Sequence, residues 1–192
     1  MQERLNETTA TREKVGYSVT LAHSEEEVRE AQRLRYKVFV EELGARVQTR
    51  LPNHDIDLYD PFCEHLIVRE NHGDRVVGTY RILSPAAARR VGNYYSENEF
   101  YINRLQNLRG RMVEVGRSCI HPDHRSGAVI TLLWAGLADY MVGNNYEYLM
   151  GCASIGMADG GHNAANLFSQ MDAAHMAPAE YRAFPLHGLP FE

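Results

Sequence analysis

One stretch narrows the choice of fold more than any other: "RMVEVGRSCIHPDHRSGAVITLLWAGLADYM", residues 111–141. Its first ten residues are largely apolar and read as a strand, and a Pro-containing turn follows. Beyond Gly127, the residues Ile130, Leu133, Trp134, Leu137 and Met141 share one helical face. A strand leading through a short turn into an amphipathic helix belongs in a layered α/β arrangement. The strand also carries two charges, Glu114 and Arg117. Residues three apart on a regular strand face opposite sides, so the pair meets only across a bulge, and Gly116 is the position expected to supply it.

The flanking sequence completes one α/β domain with a mixed sheet. "YSVTLA" (17–22) reads as a short strand. Ser24 and Glu27 form a capping box ahead of "EEEVREAQRLRYKVFVEEL", with Val28, Ala31, Leu34, Val38 and Leu43 as the apolar stripe and Gly44 as the stop. Residues 46–62 read as a loop rich in acids. "EHLIVRE" and "RVVGTYRIL" flank Asn71-His72-Gly73-Asp74 as a β-hairpin. The stretch from "SPAAARR" to "YINRL" is expected to be helical or irregular, "YEYLMGCA" a strand and "GHNAANLFSQM" a helix. Residues 1–15 read as a disordered leader and 16–192 as the single domain.

Bulk properties exclude several classes. At 192 residues, 44% hydrophobic and 23% charged, the chain suits one globular domain with a real core. A net charge of −5 argues against a polyanion binder, leaving only local basic patches. Three irregularly spaced cysteines, Cys63, Cys119 and Cys152, do not make a disulfide framework and suit a reducing, cytoplasmic compartment. The first residues are polar and unlike a secretory signal, and no apolar run reaches the roughly 18 residues that span a bilayer.

Two features point to chemistry. The turn Arg125-Ser126-Gly127-Ala128 offers unpaired N–H groups at a helix start, suited to a phosphate; it also reads as an ordinary strand-to-helix turn. Glu114 and Arg117 have many prospective partners: Arg35 in an apolar helical stretch, Arg81 in a strand, and Asp55, Asp57 and Asp60 in the loop. So many charges near apolar elements suggest a converging polar cluster, more than a structural ion pair requires.

Together, Arg35-x3-Phe39, Asp55-x-Asp57-x2-Asp60, Gly78-Thr79-Tyr80-Arg81 and Glu114-x2-Arg117 resemble the signature of acyl-homoserine lactone synthases, which have a GNAT-type N-acyltransferase fold. The blocks "DLYDPFCEHLIV", "VVGTYRIL", "YYSENEF", "EVGRSCIHPDHRSGAVITLLWAGLADYM" and "LMGCASI" are closer to one branch, the L-ornithine N-alpha-acyltransferases, over residues 17–187. Those enzymes make lyso-ornithine lipid from a 3-hydroxyacyl thioester on acyl carrier protein. The resemblance therefore implies a GNAT-like domain, a carrier-bound donor, an amino acid acceptor and no dedicated cofactor. That branch also implies a further strand-bearing segment after "FPLHGLPFE", leaving open a short version of the fold or an incomplete acceptor site. The Arg-Ser-Gly-Ala turn departs from the two-glycine loop of ordinary GNAT enzymes and suits the single phosphate of a carrier-bound pantetheine.

Thioester aminolysis needs a neutral amine, a polarised carbonyl and alignment of the two. The resemblance implies Glu114 as proton acceptor, with N–H groups near Gly116 and Arg117 stabilising the oxyanion. It gives Arg81 and Arg117 the acceptor carboxylate, Asp55, Asp57 and Asp60 the ammonium groups or the orientation of those arginines, and Arg35 the bracing of the loop. Phe39, Leu132, Leu133, Trp134 and Leu137 are expected to line an acyl tunnel or to be plain core. Arg104, Arg109, Arg111 and Arg125, with Arg89 and Arg90 further off, form a candidate face for acidic acyl carrier protein or a solvated surface. An amphiphilic product implies peripheral membrane contact without a spanning segment.

Other motifs carry less. Cys119, His121 and His124 straddle a strand end and a Pro turn, so no metal site is expected. Cys119 and Cys152 are expected to be neutral, buried thiols in apolar strands. "GCASIG" misses the G-x-S-x-G elbow by one position. The competing readings are an N-acyl amino acid synthase with another acceptor, a lactone synthase using S-adenosylmethionine, and a non-catalytic acyl-binding domain.

Overall fold

A computed structural model describes residues 16–72 and 74–188, so the leader predicted over 1–15 lies outside the described residues. The central sheet has five strands: β1 (Tyr17–Leu21), β2 (Glu64–Glu70), β3 (Val76–Leu83), β5 (Met112–Ile120) and β6 (Tyr148–Met150), in the order β1-β2-β3-β5-β6. Neighbours run antiparallel except β5 and β6, which are parallel. A second pairing joins β4 (Phe100–Tyr101) to β7 (Phe184–Pro185). Strands of two residues are too short to show a periodicity, which is why the sequence reading missed them.

The helices α1 (Glu25–Tyr36) and α3 (Ala128–Gly143) cover opposite faces of the sheet, and side-chain alternation along β2 shows how. Leu66 and Val68 pack with Val129, Leu132, Leu133 and Leu137 of α3, whereas Ile67 packs with Ala31 and Leu34 of α1. Each such fully buried side chain contributes roughly 1.5–3 kcal/mol. Gly78 permits the close approach of α3, since a Cβ there would lie 2.5 Å from Val129 Cγ1. The short α2 (Pro85–Val91) packs Ala87 and Ala88 into a third cluster with Tyr59, Leu83, Tyr94 and Met112. α4 (His162–His175) lies outside all three clusters.

The Ser24/Glu27 capping box is present as read. The helix it starts does not run uniformly to Gly44, because residues Lys37–Glu42 are π-helical and Leu43 N–H donates to Val38 O. The wider turn rotates the stripe, so Leu43 is 66% exposed instead of joining the core. The bulge in β5 is also displaced from the expected position. Thr79 pairs with Cys119 and Arg81 with Gly116, so Tyr80 alone faces Arg117 and Ser118. Arg117, not Gly116, takes the left-handed conformation, with φ 51°. No helix among the described residues is long and apolar enough to cross a membrane.

Candidate active site

The β5/β6 ladder runs only from Met112–Tyr148 to Glu114–Met150. Beyond that pair β5 and the segment that follows β6 border a cavity of about 760 Å³, with residues 115–118 on one lip and residues 151–154 on the other. Gly151 keeps the base of the split narrow, since a Cβ there would sit 2.4 Å from Val115 O. Glu114 stands where the ladder ends, and the bulge turns Arg117 toward the same cavity.

Glu114 is buried beneath a 3-10 turn, Tyr95–Asn98, whose first N–H groups need acceptors outside the turn. Its Oε2 accepts from Tyr95 N at 2.6 Å; Oε1 accepts from Ser96 N at 2.7 Å and Ser96 Oγ at 2.5 Å. Burial pushes the carboxyl pKa up, and the Ser96 and Tyr95 donors oppose that shift. Ser96 Oγ also lies 3.3 Å from Cys152 Sγ, which borders the cavity. The sequence reading missed Ser96. It sits in an irregular stretch without a motif, and only the tertiary contact across eighteen positions gives it meaning.

The acids and arginines converge, in two tiers. In the rear tier, Arg35 is fully buried and donates Nε to Asp55 Oδ2 at 2.9 Å and both terminal nitrogens to Asp60, each at 2.8 Å. A further bond joins Arg35 Nη2 to the Asp55 carbonyl. Burial works against both charges, yet their pairing holds the Asp60 pKa below and the Arg35 pKa above the ordinary values. Arg35 thus ties the acidic loop to α1. In the front tier, Arg81 donates to Asp57 Oδ1 at 2.6 Å and borders the cavity. Arg117 Nε lies 3.2 Å from Asp55 Oδ2, off the axis of a proper hydrogen bond, and Nη2 lies 3.5 Å from Asp57 Oδ2. The Arg117 guanidinium rests between the rings of Phe39 and Tyr95, at 6.0 and 5.9 Å from their centroids.

Several expectations need correction. Leu132, Leu133 and Leu137 are sealed in the core under α3 and do not border the cavity. Phe39 and Trp134 do border it, and Trp134 is 51% exposed, edge-on to Tyr80. Leu43, Val47 and Leu149 are among the other apolar residues that line it. Cys119 is buried, with its thiol pushed up to about 12, but Cys152 is exposed and lies past the end of β6. The proposed basic face is largely spoken for: Arg125 is bidentate to Glu42, Arg109 pairs with Glu97, Arg111 pairs with Glu147, and Arg104 bonds to the Ala179 carbonyl. Gly127 (φ 95°) is the N-cap of α3 without a side-chain cap bond, and the exposed Ser126 and half-buried Ala128 flank it away from the cavity lining.

Residues 34–135 match the family model described as an acetyltransferase (GNAT) domain. The chain belongs to that family. It is 41% identical over 149 residues to the L-ornithine N(alpha)-acyltransferase of Rhodobacter capsulatus, a match covering 73% of this chain and 57% of the relative. The corresponding enzyme of Brucella abortus is 37% identical over 145 residues, covering 71% of this chain and 52% of the relative. The chain thus spans about half the length of the curated relatives it matches. Among solved structures, the acyl-homoserine lactone synthase LasI shares the GNAT fold with a TM-score of 0.55 at 19% identity, over 88% of this chain and 87% of that one.

Proposed function

We propose that this GNAT domain is an amino acid N-acyltransferase: it moves a fatty acyl group, with or without a 3-hydroxyl, from acyl carrier protein to the α-amine of ornithine. The observation that carries this reading is the cavity at the β5/β6 split. There a buried carboxylate and an incompletely paired guanidinium share one wall, and apolar side chains form the other. The 41% identity to a protein named L-ornithine N(alpha)-acyltransferase supports ornithine as acceptor.

In this reading Glu114 takes a proton from the acceptor ammonium, directly or through a water, and its raised pKa suits it to that task. The freed amine attacks the thioester carbon, a C–N bond forms and the C–S bond breaks. The proton held by Glu114 then passes to the departing thiolate, and the nitrogen gives its second proton to the regenerated carboxylate and from there to solvent, leaving a neutral amide. Main-chain N–H groups of β5 past the end of the ladder stabilise the oxyanion. Arg117, set by Asp55 and Asp57, grips the acceptor carboxylate with its planar fork. The acyl chain lies along Phe39, Leu43, Val47 and Trp134. The open N-terminus of α3 at Gly127, flanked by Arg125, takes the pantetheine phosphate. The amphiphilic product would bring the protein into peripheral contact with a membrane.

Mass spectrometry of products from 3-hydroxyacyl carrier protein with a panel of amino acids or S-adenosylmethionine, with Glu114→Gln beside the wild type, tests this reading. N-acyl ornithine formed by the wild type and lost in the variant is the expected result. Acylation of another amino acid would keep the chemistry and replace the acceptor. A lactone from S-adenosylmethionine would replace the reaction, and binding without product would leave a non-catalytic acyl-binding domain.

A further inference from the structure

Glu114 must change protonation state during the proposed reaction, yet three donors surround its carboxylate. The two main-chain N–H groups, of Tyr95 and Ser96, can only donate and therefore favour the ionised form. The Ser96 hydroxyl differs, because a hydroxyl rotates and both donates and accepts. At 2.5 Å from Oε1 it donates to the ionised carboxylate. When the carboxyl is protonated, the same oxygen can accept, and its hydrogen can turn to Cys152 Sγ at 3.3 Å. The Glu114–Ser96–Cys152 chain thus has two hydrogen-bonding states related by hydroxyl rotation.

We propose that Ser96 is a positioning residue for Glu114, whose hydroxyl partners both protonation states and lets the carboxyl cycle between them without moving. This rests on the reading of Glu114 as proton acceptor. Other ionisable groups near Glu114 are Arg81 from β3, Arg109 and Tyr94 from the segments before β5, Cys152 beyond β6, and Arg117 on the same cavity wall. Of the side chains around Glu114, Ser96 is the one in hydrogen-bond contact among the described residues.

The test compares wild type, Ser96→Ala and Ser96→Thr in two measurements. Steady-state kinetics against pH is expected to show kcat of Ser96→Ala down about tenfold, the rate equivalent of one hydrogen bond to a charged group. KM for both substrates should stay within about twofold, since Ser96 touches neither. The acid limb should move to higher pH, because a lost donor no longer favours the ionised form. Ser96→Thr, which keeps the hydroxyl, should restore both rate and limb. The second measurement needs no turnover: the Glu114 carboxyl is titrated by carbon NMR, assigned through Glu114→Gln, and its midpoint should rise in Ser96→Ala. An unmoved midpoint, or a Thr variant as impaired as the Ala variant, would overturn the proposal. A wild type without turnover would sink the enzymatic reading, while the NMR midpoint would still decide the role of Ser96. If Ser96→Ala fails to fold, Ser96→Cys, with its weaker donor, must show the same upward shift.

Discussion

Arg35 and Arg117 both reach for the carboxylate of Asp55, and the fold treats them in opposite ways. Arg35 is sealed behind the acidic loop, and each of its guanidinium nitrogens is bonded to Asp55 or Asp60. Arg117 leaves 30% of its side chain exposed, lacks a well-aligned bond at Nε, and sits on a left-handed backbone. A saturated, buried charge holds the loop in place. An unsaturated charge on the cavity wall keeps capacity for a ligand. The shared aspartate couples the two, so the rear arginine sets the front one through Asp55.

The largest expected effect comes from breaking the rear tier. Arg35→Ala leaves two buried carboxylates without their main partner and should cost about 3–5 kcal/mol in denaturant unfolding. A loss below about 1 kcal/mol would show that the loop does not depend on Arg35. At the front, Glu114→Gln should lower the acyl-transfer rate by about 100-fold or more, as expected for a lost general base, with a smaller stability change than Arg35→Ala. Stability falling as far as in Arg35→Ala would move Glu114 into the structural tier.

A third test uses His65, which is buried on β2 with its Nε2 3.7 Å from Asp60 Oδ1. Burial pushes its pKa down to about 4 from the ordinary 6.5 of a histidine. The unfolded chain therefore binds a proton between those values that the folded chain refuses, and stability falls as pH drops through that window. The loss should reach about 2 kcal/mol by pH 5, and His65→Leu should remove it. Thermal melts at pH 7 and pH 5 would read it, and equal pH dependence in variant and wild type would clear His65 of any role. The smallest effect separates fold from function within one residue. Arg117→Gly relieves the left-handed backbone and should gain up to about 1 kcal/mol, while KM for the acceptor rises sharply. A variant that loses stability would show that the Arg117 side chain braces the fold after all.

Much of the frame could be read from local patterns. The Ser24/Glu27 box, the hairpin of β2 and β3 and the apolar run of β5 each carry a short-range signal, and each element formed where expected. The misreadings share a physical origin in long-range contacts. Gly116 looked like the natural bulge residue, but Arg117 takes that conformation where the acids of the loop and the rings of Phe39 and Tyr95 surround its guanidinium. Leu133 and Trp134 are adjacent on one helix, and periodicity alone does not say which of them meets core and which meets cavity. The arginines read as a docking face found partners as far as 83 positions away, as Arg125 did in Glu42.

The brevity of β6 has a consequence for motion. Among the described residues its three residues form the sheet's edge and hold to β5 by a short parallel ladder, with Tyr148 and Leu149 exposed. Edge segments with little buried surface detach at low free energy, well below global unfolding. The wall carrying residues 151–154 should therefore open as a separate unit. Its amides, and those of Tyr148–Met150, should exchange with solvent long before those of β2 and β3. Such breathing would let a long acyl chain enter sideways through the seam rather than thread in from one end.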